Sequence, residues 1–182
     1  MPQDQPLPRL WLLSDARNDG VLEEALAALP PGSGLVFRHY HLDSRDRQLR
    51  LRKVQAVAQE LGHVVAVARD VELARAAGAQ GVYGTLEAIG EARDMLRLAT
   101  THDAAEVDAA NAAQIDGIFL SPVFATRSHE GGATLGVMGF SVLAQRSSLP
   151  VIALGGMTQE RADLLGWPRW GAIDGLSSSR NA

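Results

Sequence analysis

The sequence contains no cysteine, and aromatic residues make up only 5% of its 182 residues. Without cysteine the chain can form no disulfide bond and offers neither a thiolate metal ligand nor a cysteine nucleophile. It has no basic stripe and a formal net charge of −4, which argues against nucleic acid as the main partner, because phosphate backbones are bound by clustered Lys and Arg. No apolar run approaches the roughly 18 residues of a membrane helix. We therefore expect a cytoplasmic protein that binds neither nucleic acid nor a membrane.

The chain does contain enough apolar sequence for a buried core. Hydrophobic residues make up 46% and charged residues 21% of it, values typical of a globular domain. The length suits a single domain but is short for a β/α barrel, where about 250 residues are typical. We expect the polar, proline-rich residues 1–8 to be disordered or loosely held, and residues 9–182 to form one compact domain.

Short runs of Val, Ile and Leu alternate with amphipathic stretches, which is typical of βα units around a buried parallel sheet. The predicted strands are Leu10–Ser14, Gly34–Tyr40, Val64–Arg69, Gly81–Tyr83, Leu98–Thr101, Gly117–Ser121, Val151–Leu154 and Ala172–Leu176. The predicted helices are Val21–Leu29, Arg45–Leu61, Val71–Ala77, Leu86–Leu96, Ala104–Ala113, Phe140–Arg146 and Gln159–Leu165.

Eight such strands predict an α/β fold, a (β/α)8 TIM barrel, although an open doubly wound sheet has the same rhythm. Only residues 177–182 follow the eighth predicted strand, so the barrel is expected to lack a full closing helix. A second copy of the chain covering that last strand would fill the gap, which makes a homo-oligomer one expectation.

Glycines and serines follow the last two predicted strands, where barrels often bind phosphate. Gly155 and Gly156 allow backbone N–H groups to approach an anion at the start of a helix. The hydroxyl groups of Ser177 and Ser178 would lie beside them. The alternatives are a tight turn for the glycines and a polar chain end for the serines.

A charge lies within the second predicted strand, and a charge in a strand needs an anionic partner. The two-residue period of a strand places Arg38 and Tyr40 on one face and His39 and His41 on the other. Arg38 is predicted to bind a substrate phosphate or pyrophosphate, with Asp15 as the alternative partner. The two histidines are predicted to be structural rather than metal ligands.

A long polar segment follows the sixth predicted strand and resembles an active-site loop, because long βα connections usually bind something. In this segment Thr126 and Ser128 offer hydroxyl donors, while Arg127 and His129 offer charge. An ordinary surface loop is the alternative.

Thr100 and His102 end the fifth predicted strand and share one face. His102 is the best-placed titratable group of the set, with a capping or surface histidine as the alternative. Asp103 and Glu106 are spaced as a capping box at the start of the next helix, and Thr158 is spaced as a cap after the seventh strand.

These segments together resemble the thiamine phosphate synthases and the related TenI-type thiazole tautomerases. The most specific piece is Ser121–Ser128, followed by Pro150–Met157 and the pair Thr100 and His102. The resemblance implies a β/α barrel that joins hydroxymethylpyrimidine pyrophosphate to thiazole phosphate, with Mg²⁺ holding the leaving pyrophosphate and no organic cofactor. It also implies a role for each matching position: Arg38 binds pyrophosphate, Thr126 and Ser128 donate hydroxyl groups, and Gly156, Ser177 and Ser178 hold the thiazole phosphate.

The metal-binding positions depart from the family pattern. Ala68 and Arg69 stand where the third strand of the family ends in a magnesium-binding aspartate. Asp70 and Glu87 are the nearby carboxylates that could reach a metal, and Asp70 also has the spacing of a helix cap. Arg69 would repel Mg²⁺ but could itself neutralise a diphosphate.

Two alternative functions follow from these departures. One is a metal-independent isomerase of the tautomerase type, with His102 or His129 as the acid/base group, although Pro122 replaces the histidine expected in that branch. The other is a non-catalytic binder of phosphorylated thiamine precursors.

Overall fold

Eight parallel strands close into a barrel with helices around it, which confirms the predicted (β/α)8 TIM barrel. The computed structural model describes residues 7–129 and 131–177, and it joins neighbouring strands in chain order, with the first strand paired to the eighth. The strands are β1 Leu10–Leu13, β2 Gly34–Phe37, β3 Val64–Ala68, β4 Gly81–Gly84, β5 Leu96–Thr101, β6 Gly117–Leu120, β7 Val151–Ala153 and β8 Trp170–Ala172. The helices are α1 Leu22–Ala27, α2 Ser44–Glu60, α3 Val71–Ala77, α4 Leu86–Ile89, α5 Ala104–Ala113, α6 Gly136–Arg146 and α7 Gln159–Leu165.

Side chains alternate along each strand between the inside of the barrel and the layer of helices. Leu12 faces the helices and packs with Leu22 and Leu26 in the larger core cluster. The inward row is a second, separate cluster, composed of Trp11, Leu13, Val36, Ala66, Ala68, Tyr83, Leu98, Phe119 and Ile152. The barrel interior is therefore packed with side chains, and a cavity can form only above this layer, at the end of the strands.

Side-chain caps set where several helices begin. The predicted cap at Asp103 is confirmed, since its carboxylate accepts a hydrogen bond from the Glu106 amide at 2.9 Å. Thr158 is also confirmed as the cap of α7, because its hydroxyl accepts from the Arg161 amide at 3.3 Å. Because each cap fixes where a helix begins after a strand, its position also determines how many residues of the loop remain at the rim of the barrel.

Two predicted strands, the second and the eighth, have an end more than two residues from the observed one. The eighth strand is Trp170–Ala172 rather than Ala172–Leu176, and residues Asp174–Leu176 form a short 3-10 turn. Only glycine fits at position 175 of this turn, because an added Cβ would lie 2.2 Å from the Met157 carbonyl oxygen. β2 ends at Phe37, three residues earlier than predicted, so Arg38 and Tyr40 belong to the rim of the barrel.

The helix boundaries differ by more than two residues in two places. α4 ends at Ile89, because Gly90 adopts a positive φ of 51°, and β5 accordingly begins at Leu96, inside the predicted helix. α6 begins at Gly136, four residues before the predicted start at Phe140.

Both ends of the chain were expected to be loosely held or incomplete. Of the predicted loose segment, residues 1–6 lie outside the described residues, whereas the Pro8 carbonyl accepts a hydrogen bond from the Trp11 indole at 3.0 Å. No α-helix follows β8 within the described residues, which end at Ser177. The covering of β8 by a second copy stays a prediction. None of the helices in the described part of the chain has the length and apolar character needed to cross a membrane.

Candidate active site

A cavity of about 490 Å³ opens at the carboxyl ends of the strands, the position at which TIM barrels hold their active sites. Its size is within the range of small-molecule sites. Seven of the residues predicted for the site line it: Arg38, Thr100, His102, Thr126, Ser128, Gly155 and Gly156. The fold therefore brings predicted site residues at the ends of β2, β5, β6 and β7 together around one opening.

The glycine pair lies in the loop between β7 and α7, with positive φ angles of 97° at Gly155 and 61° at Gly156. A Cβ on Gly156 would lie 2.4 Å from the Ala125 carbonyl oxygen, and one on Gly155 would lie 2.7 Å from Cα of Pro122. The loop after β6 thus packs directly on the glycine backbone. Within residues 7–129 and 131–177, neither glycine amide donates a hydrogen bond to the protein. The pair therefore serves as a tight packing site and also offers amide donors beside the cavity.

The serine half of the predicted phosphate site is arranged differently from the prediction. The Ser177 hydroxyl donates to the Ile173 carbonyl and accepts from the Asn18 side-chain amide, the latter at 2.9 Å. Asp174 and Gly175 line the cavity beside Gly156 instead. Ser178 lies outside the described residues, so the phosphate-binding role of both serines stays a prediction.

Arg38 lies just after β2, and its guanidinium is 3.6 Å from the Asp15 carboxylate. This is the alternative partner considered from the sequence, and the Arg38 side chain lines the cavity at the same time. Burial raises the pKa of Asp15, but this effect is outweighed by hydrogen bonds from Arg17 and by the positive charges of Arg17 and Arg38, so its pKa is lowered. Asp15 is consequently ionised at neutral pH and holds Arg38 at the edge of the cavity.

Arg69 and two tyrosines line the same side of the cavity. Arg69 adopts a positive φ of 58° while its amide donates to the Tyr83 carbonyl at 2.8 Å. Both guanidinium groups, those of Arg38 and Arg69, lie 5.5 Å from the centre of the Tyr40 ring. Neither tyrosine was assigned to the site from the sequence. Each could have been found from its position, because Tyr83 lies on the inward face of β4 and Tyr40 continues the inward face of β2 beyond its end.

The loop after β6 is connected to the loops after β1 and β8. Arg17 donates to the Ser128 hydroxyl at 3.1 Å, and the Arg127 guanidinium lies 2.8 Å from the Asp174 carboxylate. The Ser128 amide donates to the Thr126 hydroxyl at 3.3 Å. This loop, predicted to belong to the active site, therefore forms part of the cavity wall. The side chain of His129 lies outside the described residues.

His102 is half-exposed at the rim, and its Nδ1 lies 2.8 Å from the Glu106 carboxylate. The same carboxylate accepts the His102 amide at 2.7 Å. Glu106 thereby orients the imidazole at the cavity edge. His102 lies where it was predicted to lie and makes a local structural contact there, while its role as an acid/base group stays a prediction.

Comparison with known proteins decides the family. The sequence model described as "Thiamine monophosphate synthase" matches residues 11–166. The chain belongs to the thiamine monophosphate synthase family. It is 31% identical over 157 residues to a thiamine-phosphate synthase of Thermosynechococcus vestitus, with 82% of this chain and 44% of that protein covered. It is 28% identical over 127 residues to one of Lactococcus lactis subsp. cremoris, with 65% and 58% covered. The chain thus spans about half the length of these curated relatives.

A solved structure with the same fold is the thiamine phosphate pyrophosphorylase from Pyrococcus furiosus. The TM-score is 0.80 at 21% identity, and the match covers 96% of this chain and 89% of that one. At this level of identity the likeness supports the barrel itself.

The carboxylates considered for the family's magnesium do not fit a metal site in this chain. Asp70 caps α3 by accepting the Leu73 amide at 2.9 Å, and its other oxygen lies 3.2 Å from the Arg47 guanidinium. Glu87 is exposed in the first turn of α4, and neither carboxylate lines the cavity. Four arginines, Arg38, Arg69, Arg127 and Arg161, line the cavity. The carboxylate that lines it, that of Asp174, is paired with Arg127 and Arg17, so a divalent cation would meet positive charge there.

One group of potential ligands, Asp19, His39 and His41, has its ligand atoms within 4.8 Å of one another. His39 is fully buried, and both of its ring nitrogens are engaged, Nδ1 with Ser14 at 2.7 Å and Nε2 with Asp19 at 2.8 Å. Asp19 also accepts from Arg50 at 2.6 Å. Imidazole is moreover a poor ligand for Mg²⁺. The predicted structural role of His39 is therefore confirmed, because His39 and Asp19 belong to a hydrogen-bond network with Ser14 and Arg50.

The buried imidazole of His39 makes the stability of the barrel depend on pH. Burial lowers its pKa, and the nearby charges of Arg50 and His41 act in the same direction, while Asp19 opposes them in part. The unfolded chain takes up a proton at its ordinary pKa of about 6.5, where the folded chain does not. Stability is therefore present above pH 6.5 and is lost as the pH falls through the lower pKa of the folded state.

We expect the free energy of unfolding to fall by about 1 kcal/mol between pH 7.5 and 5.5, as measured by urea denaturation. His39 has a positive φ of 35°, which asparagine tolerates. His39→Asn should therefore be less stable but should show a flatter pH dependence. The control is Gln114→Asn, because Gln114 is exposed, also has a positive φ and does not titrate, so its replacement should leave the slope unchanged. An equal slope in all three proteins would contradict the assignment.

Proposed function

We propose that this chain joins hydroxymethylpyrimidine pyrophosphate to thiazole phosphate and releases pyrophosphate. The observation that carries the proposal, together with family membership, is a single cavity with anion-binding groups on two opposite sides. Arg38 and Arg69 follow β2 and β3, and the free glycine amides follow β7, half-way round the eight-stranded barrel. Such an arrangement suits two phosphorylated substrates whose phosphate groups are bound on opposite sides of the cavity while their rings react in the space between.

The reaction requires one bond to break and one to form. The C–O bond between the pyrimidine methylene and its pyrophosphate breaks, and pyrophosphate leaves with the electron pair. The ring nitrogen of the thiazole donates its lone pair to the methylene carbon, which forms the C–N bond of the product. Holding both substrates in one closed space lowers the entropic cost of their meeting, and arginines beside the leaving group stabilise its developing charge.

The test is product formation by the purified chain from both substrates at saturation, followed by ³¹P NMR, in Mg²⁺ and in EDTA. We expect product and an equal amount of pyrophosphate. Arg38→Met, which retains an apolar stem against Tyr40, should lower kcat/KM about 10- to 100-fold, because charged hydrogen bonds contribute about 1.5–3 kcal/mol. Arg52→Met is the control, since Arg52 is exposed on α2. Binding of both substrates without product under either condition would replace the proposal with a binding function.

A further inference from the structure

Four side chains at the ends of β2, β3 and β4 form one cluster at the cavity wall: Arg38, Tyr40, Arg69 and Tyr83. We call it the arginine–tyrosine cluster. Because these strands are neighbours in the barrel, with Phe37 paired to Val67 and Ala68 paired to Tyr83, the residues that follow them project into the same sector of the rim.

The cluster is held in place by its backbone. The Arg47 guanidinium donates to the Ala68 carbonyl at 2.7 Å and to the Arg38 carbonyl at 3.2 Å, which fastens the ends of β2 and β3 together. Gly84 leaves room for the stem of Arg69, since a Cβ there would lie 3.3 Å from the Arg69 Cγ. Arg69 itself adopts the left-handed conformation, with a φ of 58°, and such strained backbone positions are concentrated at functional sites.

The positive charge of the cluster is only partly compensated. Asp15 is shared between Arg38 and Arg17. In the described part of the chain, no carboxylate lies within ion-pairing distance of the Arg69 guanidinium. The cluster thus carries an excess positive charge toward a cavity, and an anion entering the cavity would meet it.

The donors of the cluster match a diphosphate. Each guanidinium offers several N–H groups in a planar fork, suited to two oxygens of a phosphate at once. The Tyr83 ring packs edge-on against Phe119, with centroids 5.0 Å apart, and its hydroxyl has no hydrogen-bond partner among the described residues. Burial raises the pKa of Tyr83, an effect that the charges of Arg38 and Arg69 only partly offset, so the phenol is a neutral donor.

We propose that the arginine–tyrosine cluster binds the diphosphate end of the substrate without a divalent metal, with Arg38 and Arg69 supplying the charge that Mg²⁺ supplies in the family. The assignment of this diphosphate as the leaving group rests on the proposed function. In that reaction the electron pair of the broken C–O bond stays on pyrophosphate, whose added charge is neutralised by two fixed guanidinium groups. The position of Arg69 where the family has a metal-binding carboxylate is thereby explained by function.

The test measures the binding of inorganic pyrophosphate by isothermal titration calorimetry, once in EDTA and once in excess Mg²⁺. We expect binding in EDTA that Mg²⁺ does not strengthen. Arg69→Asn retains a residue that accepts the left-handed backbone and should weaken binding in EDTA at least about tenfold. Arg69→Lys keeps the charge but loses the planar fork of N–H groups. Its affinity for pyrophosphate should lie between those of the unchanged chain and Arg69→Asn.

Arg93→Asn is the matched control, because Arg93 is exposed in the loop between α4 and β5, at the other end of the barrel. It should bind pyrophosphate as the unchanged chain does. Circular dichroism of each variant establishes that the barrel is folded.

The outcomes separate this inference from the proposed function. Pyrophosphate binding that requires Mg²⁺, or that is unchanged in a folded Arg69→Asn variant, overturns the inference, even if coupling is observed. Metal-free binding that depends on Arg69, in a chain that forms no product, upholds the cluster and overturns the coupling activity.

Discussion

Replacing Gly156 by alanine is expected to raise the KM for thiazole phosphate more than tenfold and to lower the free energy of unfolding by about 1–3 kcal/mol. Gly156 has a φ of 61°, and the added Cβ would lie 2.4 Å from the Ala125 carbonyl oxygen and 2.9 Å from the Arg161 guanidinium. The Arg161 side chain can move, but the Ala125 backbone is part of the cavity wall. The loop after β6 must therefore shift away from the glycine amides.

Gly166→Ala separates strain from contact in this experiment. Gly166 has nearly the same φ, 62°, but its added Cβ would meet nothing within 4 Å. It should cost stability through backbone strain alone and should leave both KM values unchanged. Steady-state kinetics and urea denaturation of the two variants provide the comparison. If Gly156→Ala binds thiazole phosphate as Gly166→Ala does, the glycine pair contributes packing only and the phosphate lies elsewhere.

The barrel could be predicted from the sequence because its strands are buried on both faces and so appear as apolar runs. β6 and β7 were placed within one residue of their observed ends. The eighth strand was misplaced because Trp170, Gly171 and Ala172 do not form an apolar run of the kind that marks β7, which is equally short. Its pairing with Leu10 of β1 is a long-range contact, and only barrel closure determines it.

The site could be predicted where function depends on position after a strand. Thr100, His102 and Gly156 all line the cavity as that rule requires. Ser177 follows the same rule but turns to Asn18 instead, a partner 159 residues away that no local pattern indicates. Tyr83 was missed because a phenol in an apolar strand resembles core.

Asp70 shows that a residue type suited to binding a metal is not sufficient when its surroundings engage it in other contacts. Asp70 has the residue type of a magnesium ligand, yet its two oxygens accept from the Leu73 amide and lie beside Arg47. A capping carboxylate already paired with arginine gains little from moving toward a cavity that holds further arginines. The ion pair with Arg47 and the arginines that line the cavity thus explain why Asp70 is not placed to bind a metal in this chain.

Trp11→Ala is expected to lower the free energy of unfolding by about 3–5 kcal/mol, the largest effect on stability among these variants. Trp11 is fully buried in the inward row of the barrel, with its ring edge-on to Phe119 at 5.6 Å between centroids. Its indole N–H donates to the Pro8 carbonyl at 3.0 Å, so truncation also releases the chain before β1. Trp11→Phe, which keeps a ring but loses this donor, should cost less.

A double variant tests whether residue 34 of β2 must be glycine to leave room for the indole ring of Trp11. A Cβ on Gly34 would lie 2.3 Å from the Trp11 ring, so Gly34→Ala alone should destabilise the barrel by about 1–3 kcal/mol through overpacking. In a Trp11→Ala background the same methyl group would enter the cavity that truncation leaves, and its cost should vanish or change sign. Urea denaturation of the four proteins gives the coupling free energy. Strictly additive effects would mean that Gly34 is required for its backbone and not for the ring above it.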